Sequence, residues 1–243
     1  MMRGGSGHLW IAASALAAFA LAGCCDSDNP LGVREGGAGG PAAVPLATAS
    51  TFVVLAGSAV TNTGATVVTG DLGVSPGSSI TGFPPGTVTG ATHSNDAAAA
   101  LAQSDLTVAY NDAAGRTTGA VTVSGDLTGL TLAPGLYKST SSLAISGALT
   151  LTGLGDPNAV FIIQMASTLT TGPGSQVILS GGAQSSNVIW QVGTSATLGT
   201  NSIFKGTIMA DQSITVNTGA RLDGRALARI GAVTLDTNAI ANP

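Results

Sequence analysis

The sequence predicts an all-β fold: a right-handed, three-sided parallel β-solenoid with one long α-helix packed alongside. From residue 51 onward, short runs of β-branched and aliphatic residues alternate with Gly-containing turns, which is typical of strand following strand. The runs recur in groups of three about every twenty residues, a period that predicts one coil of a solenoid. A single alanine-rich segment interrupts the pattern and predicts the helix.

Residues 1–23 read as a targeting segment. Arg3 precedes an apolar, alanine-rich run at residues 9–23, which suits a signal-peptide core better than a membrane span. The run ends in Leu-Ala-Gly-Cys at residues 21–24, which resembles a bacterial lipoprotein signal, in which the cysteine becomes lipidated and N-terminal. We therefore expect an exported protein anchored at a membrane of the cell envelope by a lipid on Cys24. The alternative is ordinary secretory cleavage, which releases a secreted protein.

Residues 24–45 are rich in Gly, Pro and Asp and lack an apolar period, which predicts a flexible tether. The tether joins the anchor to a folded domain at residues 46–243. The chain has 2 cysteines, which are adjacent, so no disulfide framework is possible and packing must hold the fold.

The composition argues against several function classes. Only 8% of residues are charged while 44% are hydrophobic, which excludes a charge-rich disordered chain. The 8 Lys and Arg residues are scattered, so we expect no nucleic-acid partner. We expect solvated edge positions for Lys138, Lys205, Arg221, Arg225 and Arg229.

The residues that could carry chemistry are dispersed. His93 lies just ahead of the predicted helix, where a surface or capping role is expected, and Asp71, Asp126 and Asp156 follow glycines at turns, where Asx hydrogen bonding is usual. Metal sites need clustered ligands, and enzymes that cleave polysaccharides need carboxylates gathered on one wall. We therefore expect no metal, no cofactor and no catalysis.

Four segments repeat one pattern of threonine, aliphatic residue, variable residue and threonine. Aligned in this way, Thr168, Thr197, Thr215 and Thr234 are expected at equivalent positions. An earlier segment, residues 59–61, has the same letters as residues 232–234, so the first and last parts of the chain are expected in adjacent coils.

Alternation along each strand predicts which side chains face solvent. If the aliphatic residues Leu169, Leu198, Val216 and Leu235 point inward, their neighbours point outward. The outward residues expected on one wall are Thr168, Thr170, Ser195, Thr197, Ser213, Thr215 and Thr234, with Thr61 in the adjacent coil.

This wall carries methyls and hydroxyls in place of charges. Threonine is also an ordinary strand residue, so a purely structural ladder is the alternative. A solvent face normally carries Lys and Glu, however, and here Asp236, expected near one end, is the exception. Stiff threonines on a rigid coil suit a flat, repetitive, hydrogen-bonded target, because methyls order the adjoining water and hydroxyls anchor it. Ice has these properties.

The alanine-rich segment predicts a helix over residues 94–114. Ser94, Asn95 or Asp96 can cap it, and Gly115 can end it. The helix is expected to cover outward residues such as Ile162 and Ile189. Trp190 is expected in the core or against the helix, with sugar stacking as the alternative. The expected apolar stripe comprises Ala98, Leu101, Ala102, Leu106, Ala109, Tyr110 and Ala113.

These stretches resemble the β-solenoid ice-binding proteins of microbes. The resemblance runs from about residue 51 to 240 and is carried by FVVLAGSAVTNTG, VVTGDLGVSPGSSITGFPPGTVTG, DLTVAYNDAAG, LAPGLYKSTSSLAISGALTL, GDPNAVFIIQMASTLTTGPGSQVILSGGAQSSNVIWQVGTSATLGT and FKGTIMADQSITVNTGA. It implies a discontinuous three-sided solenoid with a long flanking helix. It also implies an extracellular protein that adsorbs to ice through one flat face, blocking growth or recrystallisation or holding the cell to ice.

Some members of that family carry a Thr-Ala/Ser-x-Thr pattern on the ice face. Residues 194–197 match it, although neighbouring coils do not keep its first threonine. We expect a monomer whose partners are an ice surface and, through Cys24, a membrane. A surface module that binds polysaccharide or protein is the alternative, which exposed aromatic rows would favour.

Overall fold

The computed structural model describes residues 40–243 and confirms a parallel β-solenoid with one α-helix along its side in that range. A sheet of 15 strands covers two sides of the solenoid, and a sheet of 8 strands forms the third. The predicted signal peptide at 1–23, Cys24 and the tether up to residue 39 lie outside the described residues.

Before the helix, a short 3-10 helix at Ala47–Thr51 leads into strands β1 (Phe52–Ala56), β2 (Ala59–Thr63), β3 (Val67–Thr69), β4 (Asp71–Val74), β5 (Ser79–Thr81), β6 (Thr87–Val88) and β7 (Thr92–Ser94). The helix α1 spans Ala97–Gly115. After it come β8 (Val121–Thr122), β9 (Gly125–Asp126), β10 (Thr131–Leu132), β11 (Gly135–Ser139), β12 (Leu143–Ile145), β13 (Ala148–Thr152), β14 (Phe161–Met165), β15 (Leu169–Thr171), β16 (Gln176–Ser180), a 3-10 turn at Ser185–Asn187, β17 (Val188–Val192), β18 (Ala196–Leu198), β19 (Ile203–Ala210), β20 (Ile214–Val216), β21 (Arg221–Ala228), β22 (Val233–Asp236) and β23 (Ala239–Ala241).

The coils run along the three sides of the solenoid, and the corners between sides require particular residues. β19 and β21 bend around one corner, where Gly206 lies opposite Gly224. Gly206 has a φ of 104°, and a Cβ on Gly224 would lie 2.0 Å from the carbonyl oxygen of Gly206. Two strands can therefore turn this corner in register only with glycine at both positions.

The chain does not wind from one end of the solenoid to the other in sequence order. In the eight-stranded sheet the order is β5-β2-β22-β20-β18-β15-β12-β9. The first and last coils are neighbours, because Val60 pairs with Val233 and Thr61 pairs with Thr234. The adjacency predicted from the matching letters is therefore confirmed, and α1 carries the chain from the β5 end toward the β9 end.

The core fills the interior of the coils with aliphatic and aromatic side chains. Trp190 is fully buried, with its ring 4.9 Å from that of Phe204. Its indole N–H donates to the Lys205 carbonyl oxygen at 3.0 Å, which satisfies the polar end of the side chain. The predicted core position of Trp190 is confirmed.

Helix α1 begins after Asp96, whose carboxylate accepts the Ala99 backbone N–H at 2.9 Å. Its buried face packs on one side of the solenoid, where Ile162 and Ile189 contribute to a shared apolar cluster as predicted. The predicted stripe is wrong in its first turn: Ala98 is exposed, Leu101 is 54% exposed and Ala99 is buried. The buried face there consists of alanines, which let the helix approach the sheet closely.

The packed structure includes residues 40–45, earlier than the domain boundary expected at residue 46. Val44 is buried in the cluster between helix and sheet. Arg116 at the end of α1 donates to the carbonyl oxygens of Ala42 and Ala43, the latter at 3.1 Å. Thr48 donates its backbone N–H to Asp105 on the helix at 3.0 Å. The segment from Ala42 to Thr48 therefore fastens α1 to the solenoid.

Candidate functional site

Threonines form a register-aligned rank on the outward side of the eight-stranded sheet. The rank contains six threonines, and all six are exposed or half-exposed. With the usual spacing between strands, a rank of six residues is about 24 Å long. We call this outward side the Thr face. We call its middle line the central rank, which consists in spatial order of Thr170, Thr197, Thr215, Thr234, Thr61 and Thr81.

A second line of small residues, the side rank, runs beside the central rank, two residues earlier in each strand. Its hydroxyls bond to one another and to neighbouring backbone: Thr168 Oγ1 donates to Ser142 Oγ at 2.8 Å. Ser195 Oγ accepts the Ser213 backbone N–H at 3.3 Å. The side rank consists of Ser142, Thr168, Ser195, Ser213, Ala232, Ala59 and Ser79.

The hydroxyls of the central rank are less committed to protein partners. Among the described residues, the side-chain hydrogen bond within this rank joins Thr61 Oγ1 to Thr234 Oγ1 at 3.3 Å. Most of these hydroxyls therefore remain available to a ligand or to water. Five of the six threonines follow a buried aliphatic residue in the strand, at most 1% exposed in each case: Leu169, Ala196, Ile214, Val233 and Val60. Thr81 follows the half-buried Ile80.

All eight residues predicted from the sequence lie on the Thr face. The central rank contains Thr170, Thr197, Thr215, Thr234 and Thr61, and the side rank contains Thr168, Ser195 and Ser213. The sequence alignment that places Thr168 opposite Thr197 is wrong, because Thr170 pairs with Thr197. A shift of two residues leaves the same side chains outward, so the predicted face survives the error in register.

Sequence reasoning missed three hydroxyl-bearing residues of this face: Thr81, Ser79 and Ser142. Thr81 pairs with Thr61 and extends the central rank by one strand. The signal was present, because Ser79-Ile80-Thr81 repeats the order of Ser213-Ile214-Thr215. It was hidden because β5 is flanked by proline-containing turns and lies far from the other repeats along the chain.

A carboxylate closes the central line at its other end. Beyond Thr170 the line continues through Ala144 to Asp126 in β9. Asp126 accepts hydrogen bonds from the Ser146 backbone N–H at 3.2 Å and the Thr128 hydroxyl at 2.6 Å. Side-chain hydrogen bonding from Ser146 first, and then from Thr128, lowers the pKa of Asp126 to about 2. The Asx interpretation of this residue is confirmed, and its charge marks the boundary of the uncharged area.

Asp236 lies beside the central rank and not near one end of it. Its strand β22 has β2 and β5 beyond it in the sheet, and Asp236 pairs with Thr63. Its carboxylate accepts the hydroxyls of Thr218 and Thr237, the latter at 3.0 Å. These partners belong to the turns at the corner, so the charge is held at the margin of the Thr face.

Thr194, the first residue of the Thr-Ser-Ala-Thr match, lies at the opposite margin. It aligns with Ser167 and Gln212 through backbone hydrogen bonds of 3.1 and 2.8 Å. Its hydroxyl oxygen is buried without a hydrogen-bond partner in the described part of the chain. Thr194 therefore presents no hydroxyl to a ligand, unlike Thr197 in the same match.

The other two sides of the solenoid differ from the Thr face. Helix α1 covers one of them. The third side carries the ion pair of Lys205 and Asp223, at 2.9 Å, and the exposed apolar residues Val67, Ile178 and Ile203. From β15 to β5, by contrast, the central and side ranks contain no charged side chain.

Away from the Thr face, His93 and Arg225 have structural partners. His93 Nδ1 lies 2.7 Å from Asp96, the N-cap of α1. The edge position expected for Arg225 is wrong: it is 9% exposed and donates to the Ser50 carbonyl oxygen at 3.0 Å, which binds β21 to the N-terminal segment. Within residues 40–243, no three His, Cys, Asp or Glu side chains gather as metal ligands would.

Within residues 40–243, no helix combines the length and the hydropathy that a membrane span requires.

Comparison with known proteins gives consistent matches along nearly the whole described region. A family model described as Ice-binding-like matches residues 54–241. An ice-binding protein of Nostoc sp. (strain HG1) is 52% identical over 198 residues, covering 81% of this chain and 73% of the relative. One from Colwellia sp. is 40% identical, covering 85% and 86%.

Solved structures share the fold of this chain. The crystal structure of an ice-binding protein from an Antarctic biological consortium superposes with a TM-score of 0.82 at 59% identity, covering 84% of this chain and 92% of that one. That of an ice-binding protein from the Antarctic ascomycete Antarctomyces psychrotrophicus gives a TM-score of 0.80 at 42% identity, covering 82% and 98%.

Proposed function

This chain belongs to the ice-binding-like family, and we propose that it binds ice by adsorbing the Thr face to the crystal surface. The observation that carries the proposal is the central rank: six register-aligned threonines, with no charged side chain in the central or the side rank from β15 to β5. The relatives named as ice-binding proteins favour this reading over a module that binds polysaccharide or protein.

The chemistry of threonine fits this target. Each methyl group orders the water beside it, while each hydroxyl holds a water molecule by a hydrogen bond. A contact bridged by such a water is nearly as favourable in enthalpy as a direct hydrogen bond. Charged side chains would orient water around themselves and interrupt such a layer. Because Asp126 and Asp236 lie at the margins, the middle of the face is free to organise a continuous layer of ice-like water.

Rigidity makes this binding efficient. Threonine has few accessible χ1 rotamers, and the residues just before five of the six central threonines are buried in the core. The face therefore loses little conformational entropy on adsorption. Many weak contacts then form together, since the strands hold all the threonines in place at once. Adsorption at many points halts growth or recrystallisation of the crystal, or attaches the cell to ice.

The test measures how the full chain changes ice-crystal shape, thermal hysteresis and ice recrystallisation. Thr197→Tyr places a bulky ring in the central rank and should remove most of the activity. The matched control is Thr69→Tyr, which makes the same change at an exposed strand position on the third side. Unchanged crystal habit and grain growth with the unmodified chain would refute ice binding. Equal losses in both variants would refute the assignment to the Thr face.

We also propose that the protein is exported, lipidated on Cys24 and active as a monomer without catalysing a reaction. Export and lipidation are supported by the Leu-Ala-Gly-Cys stretch at residues 21–24, which follows an apolar run. Cys24→Ser should shift the protein from the membrane fraction to the soluble exported fraction and abolish incorporation of labelled fatty acid. Membrane association that persists in this variant would refute the anchor. Light scattering coupled to size-exclusion chromatography of the anchor-free variant checks the monomer.

A further inference from the structure

The inward row just after the central rank contains two polar residues among aliphatic ones. An inward position in a solenoid coil is normally filled by an aliphatic side chain, since burial of a polar group costs free energy unless it is hydrogen-bonded. The row runs through Ile145, Thr171, Leu198, Val216, Leu235 and Asn62. The two polar members flank the central rank near its ends, in strands β15 and β2.

Asn62 joins its own coil to the next one. Its amide nitrogen donates to the carbonyl oxygens of Gly64 at 2.9 Å and Gly82 at 2.8 Å. Gly64 follows β2, while Gly82 follows β5 in the neighbouring coil. A Cβ on Gly82 would lie 2.0 Å from the Asn62 carbonyl oxygen, so this turn packs directly on Asn62.

Thr171 makes the corresponding link at the other end of the rank. Its hydroxyl oxygen accepts the backbone N–H of Gly199 at 2.8 Å, and the two residues lie in successive coils. Both polar members of the row therefore use their side chains to tie one coil to the next. An aliphatic residue would fill the same space without that tie.

The link at Asn62 matters most because β5 is the last strand of its sheet. β5 pairs with β2 on one side only, and Thr81 immediately precedes Gly82. We infer that Asn62 is a positioning residue for ice binding: its clamp on Gly82 holds Thr81 in line with Thr61 and so completes the central rank. This inference rests on the proposed function of the Thr face.

The test is a double-mutant cycle in the full chain. Asn62→Leu, which restores the aliphatic pattern of Leu235 and Leu198, is combined with Thr81→Ala. The matched control is Gln164→Leu. Gln164 is likewise a buried amide that donates to two carbonyl oxygens, those of Ala113 and Arg116, but it faces the helix. Thermal unfolding and the protein concentration for half-maximal inhibition of recrystallisation are measured for every variant.

We expect Asn62→Leu and Thr81→Ala each to weaken inhibition by about two- to twelvefold, which corresponds to the net contribution of one hydrogen bond. We expect the double variant to be little worse than either, since both remove the same aligned threonine. Gln164→Leu should lower the melting temperature without weakening inhibition.

The inference would be overturned if the losses of the two single variants multiply in the double variant. Full activity in Asn62→Leu would overturn it as well. Thr81 is exposed, so Thr81→Ala will fold even if Asn62→Leu does not. Full activity in Thr81→Ala would show that Thr81 does not contribute to ice binding, and the inference would then be wrong. An inactive unmodified chain would instead refute the proposed function, whereas loss in Thr197→Tyr with none in Asn62→Leu would refute only the clamp.

Discussion

Ala144→Thr should lengthen the ice-binding surface and strengthen binding. Ala144 occupies the position of the central rank in β12, directly opposite Thr170 in β15. It is half-exposed, so the added hydroxyl and methyl meet no core side chain. The substitution would extend the aligned threonines from six to seven strands, which adds about 4.8 Å to the contact.

The magnitude follows from one added anchoring group. A hydrogen bond contributes about 0.5–1.5 kcal/mol net, and about 1.4 kcal/mol corresponds to a tenfold change in an equilibrium constant. The adsorption constant should therefore rise by about two- to twelvefold. The fold should tolerate the change, since threonine is favoured over alanine in strands by up to about 1 kcal/mol.

Thermal hysteresis and recrystallisation inhibition, each measured over a concentration series, report this change. The matched control is Ala148→Thr, the same substitution at an exposed position of the next strand, β13, on the third side. Thr170→Ala shortens the rank by one at the same end and should give the opposite effect. Equal responses to Ala144→Thr and Ala148→Thr, or no loss from Thr170→Ala, would refute the reasoning that rank length determines affinity.

Two further predictions concern the fold. The folded-state pKa of Asp126, about 2, lies below its ordinary value of 3.8, so its ionised form stabilises the fold above about pH 4 and loses that effect as pH falls through 2. Asp126→Asn should therefore be less sensitive to acid than the unmodified chain in unfolding scans from pH 5 to pH 2, and parallel curves would contradict this. Gly224→Ala, whose Cβ would lie 2.0 Å from the Gly206 carbonyl oxygen, should lower stability by at least about 1–3 kcal/mol. Gly115→Ala, with no atom within 4 Å of the new Cβ, is the control for thermal unfolding.

The sequence predicts the faces of strands better than their register. Alternation identifies Thr170, Thr197 and Thr215 as outward because a buried aliphatic residue precedes each one. Register is harder to predict, since Thr168 and Thr170 both fit the repeated pattern and only contacts between coils distinguish them. The pairing of Thr170 with Thr197 depends on corner geometry that short repeats do not encode.

Contacts between residues far apart in the chain are also hard to predict from the sequence. The matching letters at 59–61 and 232–234 identify one pair of adjacent coils, and the structure pairs them in that register. No comparable match marks Asn62 as a link to Gly82, since their contact depends on how the turn after β5 folds back. Arg225 was misplaced for a similar reason: its carbonyl partner belongs to Ser50, far away in the chain.

The distribution of charge reconciles an uncharged binding face with solubility. The ion pairs of the described residues lie at the two ends of α1, on the third side and at Asp211 and Arg229, and none lies on the Thr face. Solubility can therefore come from the surfaces that do not contact ice. The end strand β9 is different, because an unpaired edge invites pairing with another chain and a charge there opposes it. Asp126 supplies that charge, so protection of the sheet edge accounts for the end of the uncharged line at Ala144, beside the proposed limit of the ice contact.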